Sequence, residues 1–294
     1  MFYRRKILLA FFEAFGSHID KIRLQKLLFL FCQEQAKPAF HFVPYKYGCY
    51  SFQANADLLA LSKTGTIEDS KDEWRFKQSG DGNVALYKED EDLLREIQQR
   101  FSAMDQKQLI RHTYVNFPFF AINSTILNQN LSVAEIAVVR SAVVRDTTKT
   151  LFTIGYEGRT LEEFINILLE KNVALLCDVR KNAFSMKYGF SKNTLSNACK
   201  NAHLTYVHIP DLGIESAQRK SLKTKEDYSN LFTRYCQTVL KDSISVQKEL
   251  ALKIETAGRA ALMCFEADPS MCHRSHCASA LVANTQLNMP VMHL

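Results

Sequence analysis

The sequence has no apolar run close to the ~20 residues that a helix needs to cross a membrane. Its opening, MFYRRKILLAFFEAFG, places basic residues before an apolar stretch, as a signal peptide does. However, Glu13 interrupts that stretch and no small-residue cleavage site follows it. We therefore expect an amphipathic helix at this position, a cytoplasmic protein and no membrane partner.

The spacing of the cysteines indicates neither a disulfide framework nor a zinc finger. The eight cysteines lie mostly in predicted strands and helices, which is typical of reduced thiols. Cys264, Cys272, His276 and Cys277 have the chemistry of zinc ligands but lack the paired spacing of a finger or ribbon. We therefore expect no metal and no cofactor, with a zinc site at these four residues as the alternative.

Charge of one sign is not concentrated anywhere in the chain. The net charge of +6 is shared between the two halves, so neither half is a strongly basic tail. A length of 294 residues with 47% hydrophobic content is enough for two packed domains. The pattern changes near residue 147, which predicts a mostly helical domain over 1–146 and an α/β domain over 147–294.

Strands and helices alternate regularly in the second half. LFTI (151–154) reads as a strand, Thr160 with Glu163 forms a capping box ahead of an amphipathic helix, and VALLC (173–177) reads as the next strand. Such a βαβ unit predicts parallel pairing of the two strands with a right-handed crossover. The whole domain is predicted to have three layers, with helices covering a mainly parallel sheet.

Ligands of such open sheets bind beyond the carboxyl ends of the strands. Basic residues recur in the segments that follow the predicted strands, and they favour a phosphate-bearing substrate. These residues are Arg159, Arg180, Lys181, Lys187, Lys192, Arg219, Lys220, Lys223, Lys225 and Arg274.

The densest cluster of chemically versatile residues is CFEADPSMCHR, Cys264 to Arg274. It lies between a strand (260–265) and a helix predicted from about Met271 to Ala283. A helix start favours an anion and is expected to lower the pKa of a thiol in its first turn. This segment is therefore the first place to look for a functional site.

Residues from Thr153 to about Leu281 resemble the family catalogued as domain of unknown function 488. Four motifs in order carry the resemblance: TIGYEGRTLEEF, CDVRKNAFS, YVHIPDLG, and the Cys-x-Glu and Cys-His-Arg elements between Cys264 and Arg274. The resemblance implies an α/β domain with a polar site built from these motifs. It implies no particular reaction.

The motifs indicate roles for individual side chains. Two carboxylates at one cleft can activate water and stabilise a cationic transition state, which is the logic of glycosidic bond cleavage. We assign catalysis to Asp178, Glu266 and His273, with a structural ion pair between Asp178 and Arg180 as the alternative. The side chains expected to bind substrate are Tyr156, Arg180, Ser185, Cys272 and Arg274.

The best single hypothesis is a nucleic-acid-directed hydrolase that excises a base from DNA, in DNA repair or antiviral defence. The same residues suit a nuclease or a nucleotide hydrolase. LLCDVR also resembles a strand of rhodanese-like sulfurtransferases, which would make Cys272 a nucleophile, although Cys272 and Arg274 are too close for that type of loop. A nucleotide-sensing DNA-binding regulator is the remaining alternative.

The first domain reads as helices followed by a ribbon. Asp20 caps a helix whose apolar face leaves Arg23 and Lys26 outside, and a ribbon is predicted over 74–88 with its turn at 79–83. This outline resembles a winged helix, and KLLFLFCQ with YKYGCYSFQ resembles Panacea-type phage-associated domains. We expect it to bind DNA, a protein partner or a second copy of the chain. HTYVNFPFFAINS (112–124) is either a nucleobase platform or core.

Overall fold

The computed structural model describes residues 1–77, 85–219 and 222–294. The chain divides into two compact units, Met1–Val143 and Val144–Leu294. The division falls three residues before the predicted one. Asp146 indeed bonds within the second unit, since its carboxylate lies 3.0 Å from the Arg259 guanidinium. None of the helices in the described ranges has the length and apolar character of a membrane span.

The first unit combines helices with short strands. Its helices are α1 (Tyr3–Phe15), α2 (Lys21–Glu34), α3 (Phe52–Lys63), α4 (Lys88–Phe101), α5 (Gln106–Asn116), α6 (Leu127–Asn130) and α7 (Val133–Ser141). Its strands are β1 (His18–Asp20), β2 (Val43–Tyr45), β3 (Gly48–Tyr50), β4 (Ile67–Asp69) and β5 (Glu73–Phe76). In an antiparallel sheet β5 lies between β1 and β4, and β2 pairs with β3.

Helix α2 begins as predicted but is more buried than predicted. The Asp20 carboxylate accepts bonds from the backbone N–H groups of Ile22 and Arg23 at 2.8 and 3.0 Å, which caps the helix. Lys26 is buried rather than outside, and its ammonium donates to the carbonyl oxygen of Tyr47 in the β2–β3 hairpin. Gly48 permits this contact, because a Cβ there would lie 2.8 Å from the Lys26 Nζ atom.

The ribbon differs from the prediction. Residues 74–76 do form a strand, but β5 pairs with β4 upstream, and α4 already begins at Lys88. The predicted turn at 79–83 lies outside the described residues. The unit begins with α1, β1, α2, the β2–β3 hairpin, α3 and the β4–β5 ribbon in that order, and its resemblance to a winged helix stays a prediction.

The aromatic segment 112–124 belongs to the core of the first unit. Tyr114 is buried, and the rings of Phe117 and Phe120 lie 4.9 and 4.7 Å from that of Phe29. Rings packed against Phe29 cannot serve as an open platform for a nucleobase. Of the two interpretations, the structure therefore favours core.

The second unit is the predicted α/β domain with a parallel sheet. Its strands are β6 (Thr150–Gly155), β7 (Leu175–Asp178), β8 (Thr205–His208), β9 (Arg259–Cys264) and β10 (Val291–His293). Its helices are α8 (Leu161–Glu170), α9 (Lys192–Asn201), α10 (Lys225–Tyr235), α11 (Ile244–Ala257) and α12 (His273–Thr285). The capping box of Thr160 and Glu163 is present at the start of α8, as predicted.

The strand order is β10-β6-β9-β7-β8, and every neighbouring pair is parallel. β6 and β7 therefore do not pair with each other, because β9 lies between them. β9 is buried along its whole length, as suits a central strand, and β10 was not expected from the sequence. The carboxyl ends of all five strands meet at one edge of the sheet, and the candidate site lies there.

Candidate functional site

Asp178, the last residue of β7, has no exposed surface. Its Oδ1 atom accepts bonds from the backbone N–H and the Nε of Arg180, at 3.1 and 2.8 Å. Its Oδ2 atom accepts bonds from the Nη2 of Arg180 at 2.6 Å and from the Tyr206 hydroxyl at 2.7 Å. Four bonds occupy both oxygens, leaving no acceptor site for a water. The structure thus favours the structural ion pair over the catalytic role predicted for Asp178.

Arg180 is the other half of this buried pair. Its Nη1 donates to the Tyr156 hydroxyl at 3.0 Å, and its Nη2 donates to the carbonyl oxygen of Phe190 at 2.9 Å. Burial disfavours the charged guanidinium, but the hydrogen bonds and charge of Asp178 outweigh it, so the pKa of Arg180 is raised overall. Arg180 has only 5% of its surface exposed, so it stabilises the loop after β7. The predicted contact of Arg180 with a substrate phosphate is therefore not accessible.

Tyr156 and Ser185 complete the support of this loop. The Tyr156 ring is buried and stacks on Phe190 with 4.3 Å between ring centroids, which leaves no exposed face for the substrate contact predicted for Tyr156. Its hydroxyl donates to Ser185 Oγ at 3.4 Å, and the same Oγ accepts the backbone N–H of Lys187 at 3.1 Å. Ser185 therefore orders the loop, and its partial exposure leaves its predicted substrate contact open.

Glu266 is the carboxylate that remains within reach of solvent. It follows β9, and its side chain is 19% exposed. The Nη1 of Arg219 donates to Glu266 Oε1 at 2.5 Å, and Cys264 Sγ lies 3.6 Å from Glu266 Oε2. Burial raises the pKa of Glu266, but the charge of Arg219 and further hydrogen bonds lower it more, so the net shift is downward. Glu266 is thus held as a carboxylate.

His273 lies behind this pair and is almost fully buried. Its Nε2 is 3.0 Å from the carbonyl oxygen of Val179, so Nε2 must carry the proton, since a carbonyl only accepts. Its Nδ1 then accepts a bond from the Nη2 of Arg219 at 2.7 Å. This places His273, predicted to be catalytic, where it orients Arg219 rather than where it meets a substrate.

The two thiols of the segment are also buried. Cys264 and Cys272 have 1% and 0% of their surface exposed. Burial, together with the neighbouring Cys264, raises the pKa of Cys272 well above its ordinary value, although His273 acts in the opposite direction. The prediction of a thiol activated by the helix start is therefore wrong, because desolvation is the larger effect. A substrate contact by Cys272 is not accessible in this arrangement.

Arg274, predicted to bind phosphate, is fully buried. Its guanidinium donates to the carbonyl oxygens of Glu266 and Ala267 and to the Thr153 hydroxyl. These bonds tie the loop after β9 to β6. Gly155 allows the approach, since a Cβ there would lie 1.8 Å from the carbonyl oxygen of Glu266.

Sequence reasoning did not single out three residues that matter here. Arg219 comes from the segment after β8, far from Glu266 in sequence, and Tyr206 lies on β8 itself. Arg159 follows β6, and its Nη1 is buried without a hydrogen-bond partner. Burial and the charge of Arg274 lower the pKa of Arg159. Both arginines are among the basic residues that follow the predicted strands, but their spacing in the sequence indicated no specific role for either one.

Exposed apolar side chains lie on segments that leave the same edge of the sheet. Phe184, Met186 and Tyr188 lie on the loop after β7 and are 68%, 90% and 43% exposed. Phe265, next to Glu266, is also exposed, and its ring lies 5.2 Å from that of Tyr156. Tyr156 therefore contacts both this loop, through Ser185, and Phe265.

The arrangement also brings potential metal ligands together. Cys264, Cys272 and His273 place one ligand atom each within 4.8 Å of the others. His276, in contrast, packs its ring 4.7 Å from that of Phe232. The cluster thus differs from the one considered from sequence.

Residues 160–281 match the family model described as domain of unknown function DUF488. The match runs from the capped start of α8 into α12 and confirms the resemblance seen in the motifs. The matched residues include the Asp178–Arg180 pair and the Arg219–Glu266–His273 network. No curated protein and no solved structure matches the chain.

Proposed function

We propose that the second unit hydrolyses the N-glycosidic bond of a nucleotide in DNA, with Glu266 as the catalytic carboxylate. The observation that carries the proposal is the Arg219–Glu266 ion pair at the carboxyl ends of the strands, with both side chains partly exposed. It is here that open α/β sheets place their ligands.

The chemistry needs a carboxylate that can face both water and the sugar. As the bond to the base breaks, positive charge develops on the sugar, and water attacks the same carbon. Glu266 can stabilise that charge and accept the proton of the attacking water, while the departing base keeps the electron pair of the broken bond and takes up a proton from solvent. Asp178 is not available for this task, because its oxygens are already saturated. Arg219 keeps the Glu266 carboxylate oriented.

The surroundings of Glu266 suit a nucleic acid. Arg159 follows β6 at this edge of the sheet and keeps some exposure, so we propose it as the ligand of a phosphate oxygen in place of the buried Arg180 and Arg274. The exposed rings of Phe184 and Tyr188, with Met186 between them, can contact unstacked bases. We propose DNA repair or antiviral defence as the setting, with the first unit engaging DNA or a protein partner.

The test compares products and variants. Wild-type chain, Glu266→Gln and the exposed control Glu226→Gln are incubated with modified and unmodified DNA, and products are separated by mass spectrometry. We expect free bases, with turnover by Glu266→Gln lowered more than ~100-fold and binding retained. Released nucleotides would instead identify a nuclease, and binding without any product a regulator. An unchanged rate in Glu266→Gln refutes the assigned carboxylate.

The phosphate contact has its own test. Arg159→Ala should weaken DNA binding and reduce the slope of log affinity against log salt by about one, the change for one lost phosphate contact. Arg234, exposed on α10, provides the control variant Arg234→Ala. Equal slopes in the Arg159→Ala variant and the wild type remove this role.

A further inference from the structure

We propose that Cys264, Cys272 and His273 form a zinc site in which the metal's fourth position faces Glu266. The ligand atoms are the two Sγ atoms and the Nδ1 of His273, which lie within 4.8 Å of one another. Two thiolates and an imidazole are the ligand set that zinc prefers in a tetrahedral site. The inference concerns metal binding alone and does not depend on which bond the domain cleaves.

The distance between one sulfur and the imidazole nitrogen fits a tetrahedron before any metal is added. With Zn–S of about 2.3 Å and Zn–N of about 2.0–2.1 Å, a tetrahedral site separates sulfur and nitrogen by about 3.6 Å. Cys264 Sγ lies 3.6 Å from His273 Nδ1. Glu266 Oε2 lies at the same distance, 3.6 Å, from Cys264 Sγ. Three protein ligands leave a fourth position for water, and this carboxylate lies beside it.

His273 is oriented as a metal-binding histidine is. Its Nε2–H donates to the carbonyl oxygen of Val179 at 3.0 Å, which fixes the ring and leaves Nδ1 without a proton, 3.6 Å from the Cys264 Sγ atom. A backbone carbonyl behind the ring is the usual outer support of a histidine ligand. The backbone holds the sulfurs just as firmly, because Cys264 ends β9 and Cys272 is the cap residue of α12.

Arg219 has to move for a metal to bind. Its Nη2 now donates to His273 Nδ1 at 2.7 Å, and the metal takes that lone pair instead. The two thiols release their protons on binding, so a divalent ion with two thiolates adds no net charge beside the guanidinium. The bond from Arg219 to Glu266 Oε1 can persist, which keeps the carboxylate next to the fourth position.

The full chain is tested first. Purified without chelators, it should contain close to one equivalent of zinc by inductively coupled plasma mass spectrometry. After chelation and cobalt(II) addition, it should show the thiolate-to-cobalt charge-transfer band and the visible bands of tetrahedral cobalt. Since this measurement needs no variant and no hydrolysis, it can fail independently of the proposed reaction. A chain that gives no thiolate-to-cobalt band overturns the site.

Variants then identify the ligands. Cys264→Ser and Cys272→Ser should each abolish stoichiometric zinc and the cobalt band, whereas Cys199→Ser, a buried thiol on α9, should retain both. The double variant His276→Ala with Cys277→Ser tests the ligands considered from sequence, and it should also retain them. Loss of the band in this double variant and not in Cys264→Ser would overturn the assignment.

Discussion

The Asp178→Asn variant is expected to destabilise the second unit by about 3–5 kcal/mol, the cost of removing one partner from a buried ion pair. Asparagine has nearly the same shape, and its amide oxygen can still accept bonds from Arg180. Its NH2 group, however, must face either Arg180 or the Tyr206 hydroxyl, both of which point a hydrogen at that position. The buried guanidinium would also lose its counter-charge.

Differential scanning calorimetry of the full chain measures this effect. At roughly 2–4 °C per kcal/mol for a domain of this size, the transition of the second unit should fall by about 6–20 °C. Trp74, the single tryptophan, lies in the first unit, so its fluorescence should follow an unchanged transition. Asp211→Asn, an exposed aspartate in the segment after β8, is the matched control and should unfold like the wild type.

The opposite result would restore the catalytic role of this carboxylate. If Asp178→Asn unfolds like the wild type but loses turnover, then Arg180 and Tyr206 do not saturate the oxygens of Asp178, and the structural role assigned to this carboxylate is wrong. Tyr206→Phe gives a graded check, since it removes one bond and leaves the charge pair. It should cost about 1–3 kcal/mol, less than Asp178→Asn.

Two further predictions concern the strand ends and the domain boundary. Gly155→Ala should destabilise the second unit by about 1–3 kcal/mol or more and lower its melting temperature, because the added methyl group meets the Glu266 carbonyl. Unchanged melting with unchanged activity would contradict that contact. A fragment of residues 144–294 should fold alone by circular dichroism and retain slow chemistry on a short oligonucleotide, while losing tight binding to long duplex. A fragment that binds long duplex as tightly as the full chain would exclude DNA delivery by the first unit.

The α/β domain could be predicted because its local signals agree. The capping box at Thr160 and the apolar spacing of α8 identify the helix without any tertiary information. Strand order could not be predicted in the same way. That β9 separates β6 from β7 depends on pairing between distant segments, and continuous apolar strands carry no mark of their neighbours. β10 is three residues long and follows no periodic pattern.

The site was predicted as a region but not residue by residue. Segments after parallel strands must converge, so the edge of the sheet followed from the alternation alone. Whether a side chain there is reachable depends on what covers it. Tyr206 and the loop after β7 close over Asp178, just as the β2–β3 hairpin covers Lys26 in the first unit. Neither cover is visible from the local sequence.

The two acidic residues differ in where their positive partners come from. Arg180 lies two residues after Asp178, and its backbone N–H and its side chain both bind the Asp178 carboxylate. This pair therefore forms within a single segment of the chain. Arg219 reaches Glu266 from a separate segment after β8, and both side chains keep some exposure. A pair assembled from two segments can be opened by a substrate phosphate or a metal without unfolding either strand. This is the physical reason to place the chemistry at Glu266 and the stability at Asp178.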